Sequence, residues 1–287
     1  MKNLLRPRFI LFFIISAAII IRIFSFGWNT VPHGDVLEDA LASASFLEKK
    51  QFIIEEYSEY SPAPYYYSIK EKGGRFLIQH PPLWPLAGAG LTYLLGLEPS
   101  LENNFFSFKI LSLISGVLLI LLAYILTKKL INQKTGLVIA GWLAFSYLMI
   151  DFSANGSFYA LQTVLYLLWI LIALKKDTKN KAFYLGIITG LGYMVNFQAV
   201  ILAPASILVL VFQKEKLWTQ KLKDIIIASL VGFSIALPWL IRNYLLFDDF
   251  FYHNYFTMTY FWGKIGLKKH ISGDLMYFAP NFNDYIA

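Results

Sequence analysis

Apolar residues along the 287-residue chain are gathered into long blocks separated by polar connections. Eight such segments recur, at 9–26, 83–97, 105–126, 136–152, 158–174, 182–197, 198–212 and 225–241. A helix needs about 20 apolar residues to cross a bilayer, with roughly 17 as the lower limit. Segment 83–97 is shorter than this limit. Segments 182–197 and 198–212 are separated by almost nothing, so they predict either a tight hairpin or one broken helix.

The basic residues indicate which of these segments cross a membrane. Four clusters hold 14 of the 25 lysines and arginines, at 2–8, 128–134, 175–181 and 214–223. Connections 98–104, 151–157 and 196–198 contain none. Cytoplasmic connections of membrane proteins are enriched in Lys and Arg. All four clusters fall on one side only if segment 83–97 does not cross. We therefore predict seven spans, at 9–26, 105–126, 136–152, 158–174, 182–197, 198–212 and 225–241.

This arrangement places the N-terminus in the cytoplasm and leaves a long external loop at 27–104. Apolar residues at Val36, Leu37, Ala40, Leu41, Ala44 and Leu47 have the spacing of an amphipathic helix, predicted at 36–50. Segment 83–97 is predicted to be an apolar juxtamembrane helix in the same loop. The chain thus divides into a transmembrane module, 1–241, and an aromatic-rich external segment, 242–287. Because the last residues are loop-like, we expect a truncated C-terminal part.

Composition supports a membrane protein and excludes several functions. The chain is 57% hydrophobic and 15% charged, with a mean hydropathy of +0.55, which is typical of a polytopic membrane protein. The net charge of +7 is explained by the topology and does not predict nucleic-acid binding. There is no cysteine, and the four histidines, His33, His80, His253 and His270, have no spacing typical of a zinc site. No metal site is predicted.

Acidic residues follow the first span in the stretch from His33 to Ala40. Asp35 lies near the start of the amphipathic helix, with Glu38 three residues later. One interpretation is a helix N-cap with a capping box. The other is a general base at the mouth of a membrane cavity, since an aspartate is ionised at neutral pH and can take a proton from a hydroxyl.

Further charged residues lie at the predicted outer ends of spans. Asp151 either marks a helix end at the interface or belongs to a site. Arg242, beside Asn243 after the last span, is either an interfacial anchor or a ligand for an anionic phosphate. Arg22, late in the first span, allows the same two interpretations.

Taken in order, these features resemble the GT-C membrane glycosyltransferases. Within this class, the chain is similar to the superfamily of protein O-mannosyltransferases and aminoarabinose transferases. The resemblance covers essentially the whole chain, which corresponds to the N-terminal module of longer enzymes. The matching motifs are Gly34-Asp35, His80-Pro81-Pro82-Leu83, the short loop from Ser153 to Tyr159 with Ala160-Leu161, and Pro238-Trp239 with Arg242-Asn243.

The resemblance implies an all-α, polytopic GT-C helical bundle that transfers a sugar from a polyprenyl-phosphate-linked donor. The acceptor would be a hydroxyl of a protein, lipid or glycan on the extracytoplasmic side of the plasma (inner) membrane. Asp35 would be the catalytic base, and the metal dependence stays open. The implied substrate-binding residues are Glu38, Asp39, His80, Asp151, Arg242 and Asn243.

Two other functions are compatible with the sequence. An inactive, truncated relative that binds lipid or a partner would have the same pattern of spans. A transporter-type protein is disfavoured, because transporters place ionisable residues along a path near the membrane midplane. In this chain Arg22 is the clear charge within a predicted span.

Overall fold

The computed structural model describes residues 7–27, 34–52, 68–69, 74–75, 81–176, 180–213, 216–247 and 250. The described chain is almost entirely helical, apart from a two-stranded antiparallel ladder in which Ser68 pairs with Arg75. Its elements are α1 (Pro7–Ser25), α2 (Gly34–Lys49), β1 (Ser68–Ile69), β2 (Gly74–Arg75), α3 (Leu83–Leu94), α4 (Leu101–Leu130), α5 (Gln133–Phe145), α6 (Tyr147–Phe152), α7 (Tyr159–Ala173), α8 (Lys181–Val195), a 3-10 helix (Phe197–Ile201), α9 (Leu202–Val211) and α10 (Trp218–Phe247).

Three described helices are long and apolar enough to cross a membrane: α1, α4 and α10. Each contains a long stretch that is mainly apolar, and both ends of α4 are stabilised by polar residues. For example, the Ser100 side chain accepts from the Asn103 backbone N–H at the start of α4, and Lys128 and Lys129 lie in its last turn, where cations stabilise the exposed carbonyl groups. The polytopic helical bundle predicted from the sequence is confirmed.

The other four predicted spans are shorter or interrupted. Helices α7 and α8, and the 3-10 helix continued by α9, are apolar but have between 10 and 17 residues. The predicted span at 136–152 is not one continuous helix. Helix α5 ends at Phe145, Ser146 has extended backbone angles, and α6 begins at Tyr147. The apolar pattern continues through this break, so hydropathy alone does not reveal it.

Helix α3 corresponds to the short apolar segment 83–97. Its 12 residues extend about 18 Å, little more than half of a hydrocarbon core of about 30 Å. Its buried residues include Trp84, Ala89 and Thr92, and the helix packs on α2 and the start of α4. Thr92 Oγ1 donates a hydrogen bond to Asn104 Oδ1 at 3.1 Å, which ties α3 to α4. This length and packing agree with the predicted juxtamembrane helix.

Helices α8 and α9 form a tight hairpin, which decides the alternative left open by the sequence. Asn196 is extended, and its side chain accepts from the Gln198 backbone N–H at the turn. On either side of the turn, the hydroxyls of Thr189 and Ser206 are 3.2 Å apart. Leu185 belongs to the same apolar cluster as Leu210. A continuing helix would separate these pairs by many turns, so the second helix must run back along the first.

Lysines collect at one end of the bundle, here called the lysine-rich end. Lys129 Nζ donates to the carbonyl of Leu174 after α7, at 3.4 Å. Lys181 Nζ donates to the carbonyls of Ala173 and Lys175 at 2.7 and 2.9 Å. These lysines cap helix C-termini, where carbonyl groups lack intrahelical donors. Helices α2 and α3 and the loop before α7 lie at the opposite end.

Candidate functional site

Helix α2 is surrounded by other elements at the end opposite the lysines. One face meets α3, where Ser43 Oγ donates to the Pro85 carbonyl at 2.8 Å. A second face carries Leu37 and Leu41, which form an apolar cluster with Trp239 of α10. At 100° per residue, the acidic residues fall on the remaining face. The helix is therefore fixed by packing on two faces and presents its acids on the third.

The three acids of α2 differ in exposure. Asp35 is half-buried, whereas Glu38 and Asp39 are each only 1% exposed. Helix α2 begins at Gly34, so Asp35 lies within its first turn. This position does not agree with the N-cap interpretation, although a negative charge there still stabilises the helix dipole. Because Asp35 is the acid with access to solvent or substrate, it is the one suited to proton transfer.

Tyr159, the first residue of α7, is the described hydrogen-bond partner of Asp35. Its hydroxyl donates to Asp35 Oδ2 at 3.5 Å, and the two residues are 124 positions apart. The Asp39 carboxylate also lies close enough to act electrostatically on this hydroxyl. The sequence motif matched the residues up to Tyr159 but did not identify it as a functional residue. Only the fold brings it to α2.

The loop between α6 and α7 holds Tyr159 in place. Gly156 has φ +86°, and a Cβ there would lie 3.2 Å from Val36 of α2, so glycine provides both the backbone conformation and the close approach. The Trp84 indole N–H donates to the Gly156 carbonyl at 3.1 Å. The Asn155 side chain accepts from the Ser157 backbone N–H at 2.9 Å. Helices α2, α3 and α7 are thereby joined around this loop.

Asp151 lies half-buried on α6, shortly before this loop. Its backbone carbonyl accepts from the N–H groups of Ala154 and Asn155, both at 2.9 Å. The residue therefore ends α6, as the helix-end interpretation expects, and a role of its side chain in substrate binding stays a prediction.

Arg242 and Asn243 lie near the end of α10, next to the face that packs on α2. Arg242 Nη1 donates to Asn243 Oδ1 at 2.9 Å, and its guanidinium lies 4.3 Å from the centre of the Trp239 ring. Asn243 is fully buried. Since Trp239 belongs to the same apolar cluster as Leu37 of α2, the arginine lies near the acid-bearing helix. A rigid, planar guanidinium suits recognition of phosphate.

Arg22 is neither an interfacial anchor nor a phosphate ligand in this structure. It is 1% exposed, and its guanidinium makes five hydrogen bonds. Nε donates to Ser153 Oγ at 3.0 Å, and the carbonyl acceptors are those of Ala18, Leu143, Ala144 and Met149. A guanidinium has five N–H groups, so Arg22 is fully engaged in joining α1 to the break between α5 and α6.

Arg22 forms part of the wall of a small, open pocket. Ser153, Tyr159 and Thr163 line the same pocket, together with apolar residues of α4, α6 and α7. Tyr159 thus borders this pocket with its side chain and contacts Asp35 through its hydroxyl. Because the guanidinium already has its acceptors, the pocket offers hydroxyl groups and apolar surface rather than a positive charge.

Lys109 is a charge within a predicted span that the sequence analysis missed. It lies in α4 and is 8% exposed. Its ammonium donates to the Phe26 carbonyl at 2.9 Å and lies 4.4 Å from the centre of the Phe105 ring. The feature of the sequence that could have identified it is a lysine inside an apolar run. Its partner could not be inferred, because Phe26 is 83 residues away.

Other predicted features fall outside the described residues. His80 does, as do the remaining histidines and all of residues 251–287. Within the parts of the chain that the structure describes, no group of three or more His, Cys, Asp or Glu could hold a metal ion. The acids of α2 therefore do not form a metal-binding group with one another.

Comparison with known proteins agrees with the resemblance inferred from the motifs. Residues 79–241, more than half of the chain, match the family model of the dolichyl-phosphate-mannose-protein mannosyltransferases. No curated protein matches the chain.

A solved structure with a similar fold is the archaeal oligosaccharyltransferase AglB from Archaeoglobus fulgidus, in complex with an inhibitory peptide and a dolichol-phosphate. The TM-score is 0.61 at 17% identity, over 94% of this chain and 35% of that one. At this identity the similarity shows the fold, and the chain spans about a third of that protein's length. The all-α GT-C-type fold is thus confirmed, and the chain belongs to the dolichyl-phosphate-mannose-protein mannosyltransferase family.

Proposed function

We propose that this chain transfers a sugar from a polyprenyl-phosphate-linked donor to an acceptor hydroxyl. The observation that carries the proposal is the position of Asp35. This half-buried carboxylate lies at the end of the bundle opposite the lysine-rich end, and it accepts a hydrogen bond from the Tyr159 hydroxyl. The family match supports a donor of this kind. The bound dolichol-phosphate and peptide of the structural neighbour support a lipid-linked donor and a protein acceptor, with lipid or glycan acceptors as alternatives.

In the proposed reaction, the acceptor oxygen attacks the anomeric carbon of the sugar. The bond from that carbon to the phosphate oxygen breaks as the new glycosidic bond forms, and polyprenyl phosphate leaves with the bonding electron pair. Asp35 accepts the proton of the acceptor hydroxyl as general base. The anomeric configuration is inverted, because the acceptor enters opposite the leaving phosphate.

The remaining predicted residues have supporting roles in this proposal. Arg242, oriented by Asn243 and Trp239, would stabilise the negative charge of the leaving phosphate. Glu38 and Asp39 share the acidic face of α2 with Asp35, but each is only 1% exposed, so their predicted contact with the substrate has no direct part in this mechanism. By the family resemblance His80 would form a wall of the same site, and Asp151, the charge nearest to the short loop before α7, would contact the substrate there.

We further propose that the site faces the extracytoplasmic side of the plasma membrane. The lysine clusters gather at the other end of the bundle, and basic residues are retained on the cytoplasmic side. Donor lipid would reach the site from the bilayer, and the acceptor would approach from outside the cell. No divalent metal enters the proposed mechanism.

The test is sugar transfer by the full chain in proteoliposomes. The donor probe is dolichyl-phosphate mannose labelled in the sugar, and the acceptor probes are a serine- and threonine-containing peptide and a membrane lipid extract. Loss of a general base costs about 10²- to 10⁴-fold in rate, so Asp35→Asn should fall by that order. Asp224→Asn is the matched control, because Asp224 pairs with Lys216 at the lysine-rich end and should retain activity.

Equal transfer by wild type and Asp35→Asn would remove Asp35 from the mechanism. If the wild-type chain binds polyprenyl phosphate but transfers no sugar to either acceptor, it is instead a lipid-binding relative without activity. Solute uptake into the same proteoliposomes without sugar transfer would support the transporter-type alternative.

A further inference from the structure

We propose that Tyr159 is the positioning residue for Asp35, which rests on the sugar transfer proposed above. Its hydroxyl donates to Oδ2 of the carboxylate at 3.5 Å. Catalytic hydrogen bonds are often long before substrate binds and shorten in the reacting complex. A hydrogen bond to one oxygen limits rotation of the carboxylate, which helps to orient it towards the acceptor hydroxyl.

The ring of Tyr159 is packed against two other aromatic rings, as a positioning residue requires. Its centre lies 5.2 Å from the ring of Phe152 and 4.5 Å from the ring of Phe158. Phe158 is almost fully buried within the apolar cluster that includes Trp84 and Phe108. Two tilted aromatic contacts limit rotation about the Tyr159 side-chain bonds. The hydroxyl is therefore directed towards α2 by packing and not by the hydrogen bond alone.

The backbone of Tyr159 is fixed as well. The Thr163 hydroxyl donates to the Tyr159 carbonyl at 2.9 Å, and the preceding loop is anchored to α3 through the bond from Trp84 to Gly156. Asp35 itself is carried by α2, which packs on α3 through Ser43. Both ends of the hydrogen bond are thus supported by the same neighbouring helix. This shared support makes the distance between hydroxyl and carboxylate a property of the fold.

Tyr159 is also accessible to substrate. It is 39% exposed, and it lines the pocket that contains Ser153 and Thr163. A tyrosine needed only for packing would not require its hydroxyl at this position. We infer that the hydroxyl holds Asp35 while the exposed edge of the ring borders the space in which a substrate would bind.

The test is a double-mutant cycle measured with the sugar-transfer assay. Hydrogen bonds to charged groups contribute enough that Tyr159→Phe should lower kcat by about 10-fold or more. The KM for the labelled donor should stay within about two-fold, because the lost interaction acts in the transition state. If Tyr159 acts through Asp35, adding Tyr159→Phe to Asp35→Asn should cause no further loss. Tyr147→Phe, a change at a residue that is 72% exposed, is the matched control.

Three outcomes would overturn this proposal. If Asp35→Asn loses activity but Tyr159→Phe does not, the positioning role fails and the catalytic assignment of Asp35 survives. Losses that multiply in the double variant would show that Tyr159 acts independently of Asp35. Absence of transfer by the wild-type chain, or full activity of Asp35→Asn, would overturn the proposed function together with this role.

Discussion

Replacing Arg22 by lysine distinguishes a residue that acts through its charge from one that acts through the geometry of its guanidinium. Lysine keeps the positive charge but has three donors in place of five. The carbonyls of Leu143 and Ala144 depend on Arg22, because α5 ends at Phe145 and its last carbonyl groups have no donor within the helix. Met149, by contrast, also accepts from the Ser153 hydroxyl.

The expected loss of stability follows from this count. An ammonium on a single flexible stem can replace one of the two dependent bonds at best, so at least one buried carbonyl loses its donor. A buried carbonyl without a donor costs about 1–3 kcal/mol. Hydrogen bonds between membrane helices contribute less on average, about 0.6 kcal/mol each. We expect Arg22→Lys to destabilise the protein by roughly 2 kcal/mol, or about 5 °C in Tm. Arg22→Met should cost more, since all five donors are removed.

The measurement is thermal unfolding of the purified chain in detergent, followed by tryptophan fluorescence. Arg8→Lys is the matched control, because Arg8 is an exposed arginine of the same helix and should change Tm by less than about 1 °C. If Arg22→Lys has the same Tm as wild type while Arg22→Met is destabilised, the hydrogen bonds of the guanidinium are not what stabilises the break between α5 and α6. Arg22 would then have a role that needs only its charge.

Three other predictions test the packing and the topology. A Cβ at Gly186 would lie 2.5 Å from a backbone oxygen of α10, so Gly186→Ala should destabilise the protein by about 1–3 kcal/mol in the same unfolding assay. The control is Gly90→Ala, which should not destabilise, because a Cβ there would meet open space. Equal Tm values for the two variants would contradict the tight contact at Gly186. Trp84→Phe keeps an aromatic ring but removes the N–H that donates to the Gly156 carbonyl. The free energy of unfolding should fall by about 1 kcal/mol, and sugar transfer should slow because the loop before α7 is less firmly held. An unchanged Tm and an unchanged rate would show that this hydrogen bond is dispensable. A reporter fused after Lys176 should be cytoplasmic, and an external signal would invert the proposed orientation.

The sequence predicts much of the fold because hydrophobic periodicity and charge report local properties. The distribution of lysines, together with the short length of segment 83–97, predicts that this segment does not cross the membrane. The order of motifs from Gly34-Asp35 to Arg242-Asn243 was enough to indicate the family. These signals are read within a few turns of helix, or from one connection to the next, and they do not require knowledge of which helices touch.

The tertiary structure decided the contacts between distant residues. Asp35 and Tyr159 are 124 residues apart, and Arg22 and Ser153 are 131 apart, so no local pattern relates them. The break at Ser146 lies within an apolar run that looks like a single span, and it is stable because a buried arginine from α1 supplies donors to the interrupted carbonyls. Hydropathy measures how apolar a segment is. It does not measure which backbone groups find partners, and in a membrane bundle that pairing determines where helices end and which side chains meet.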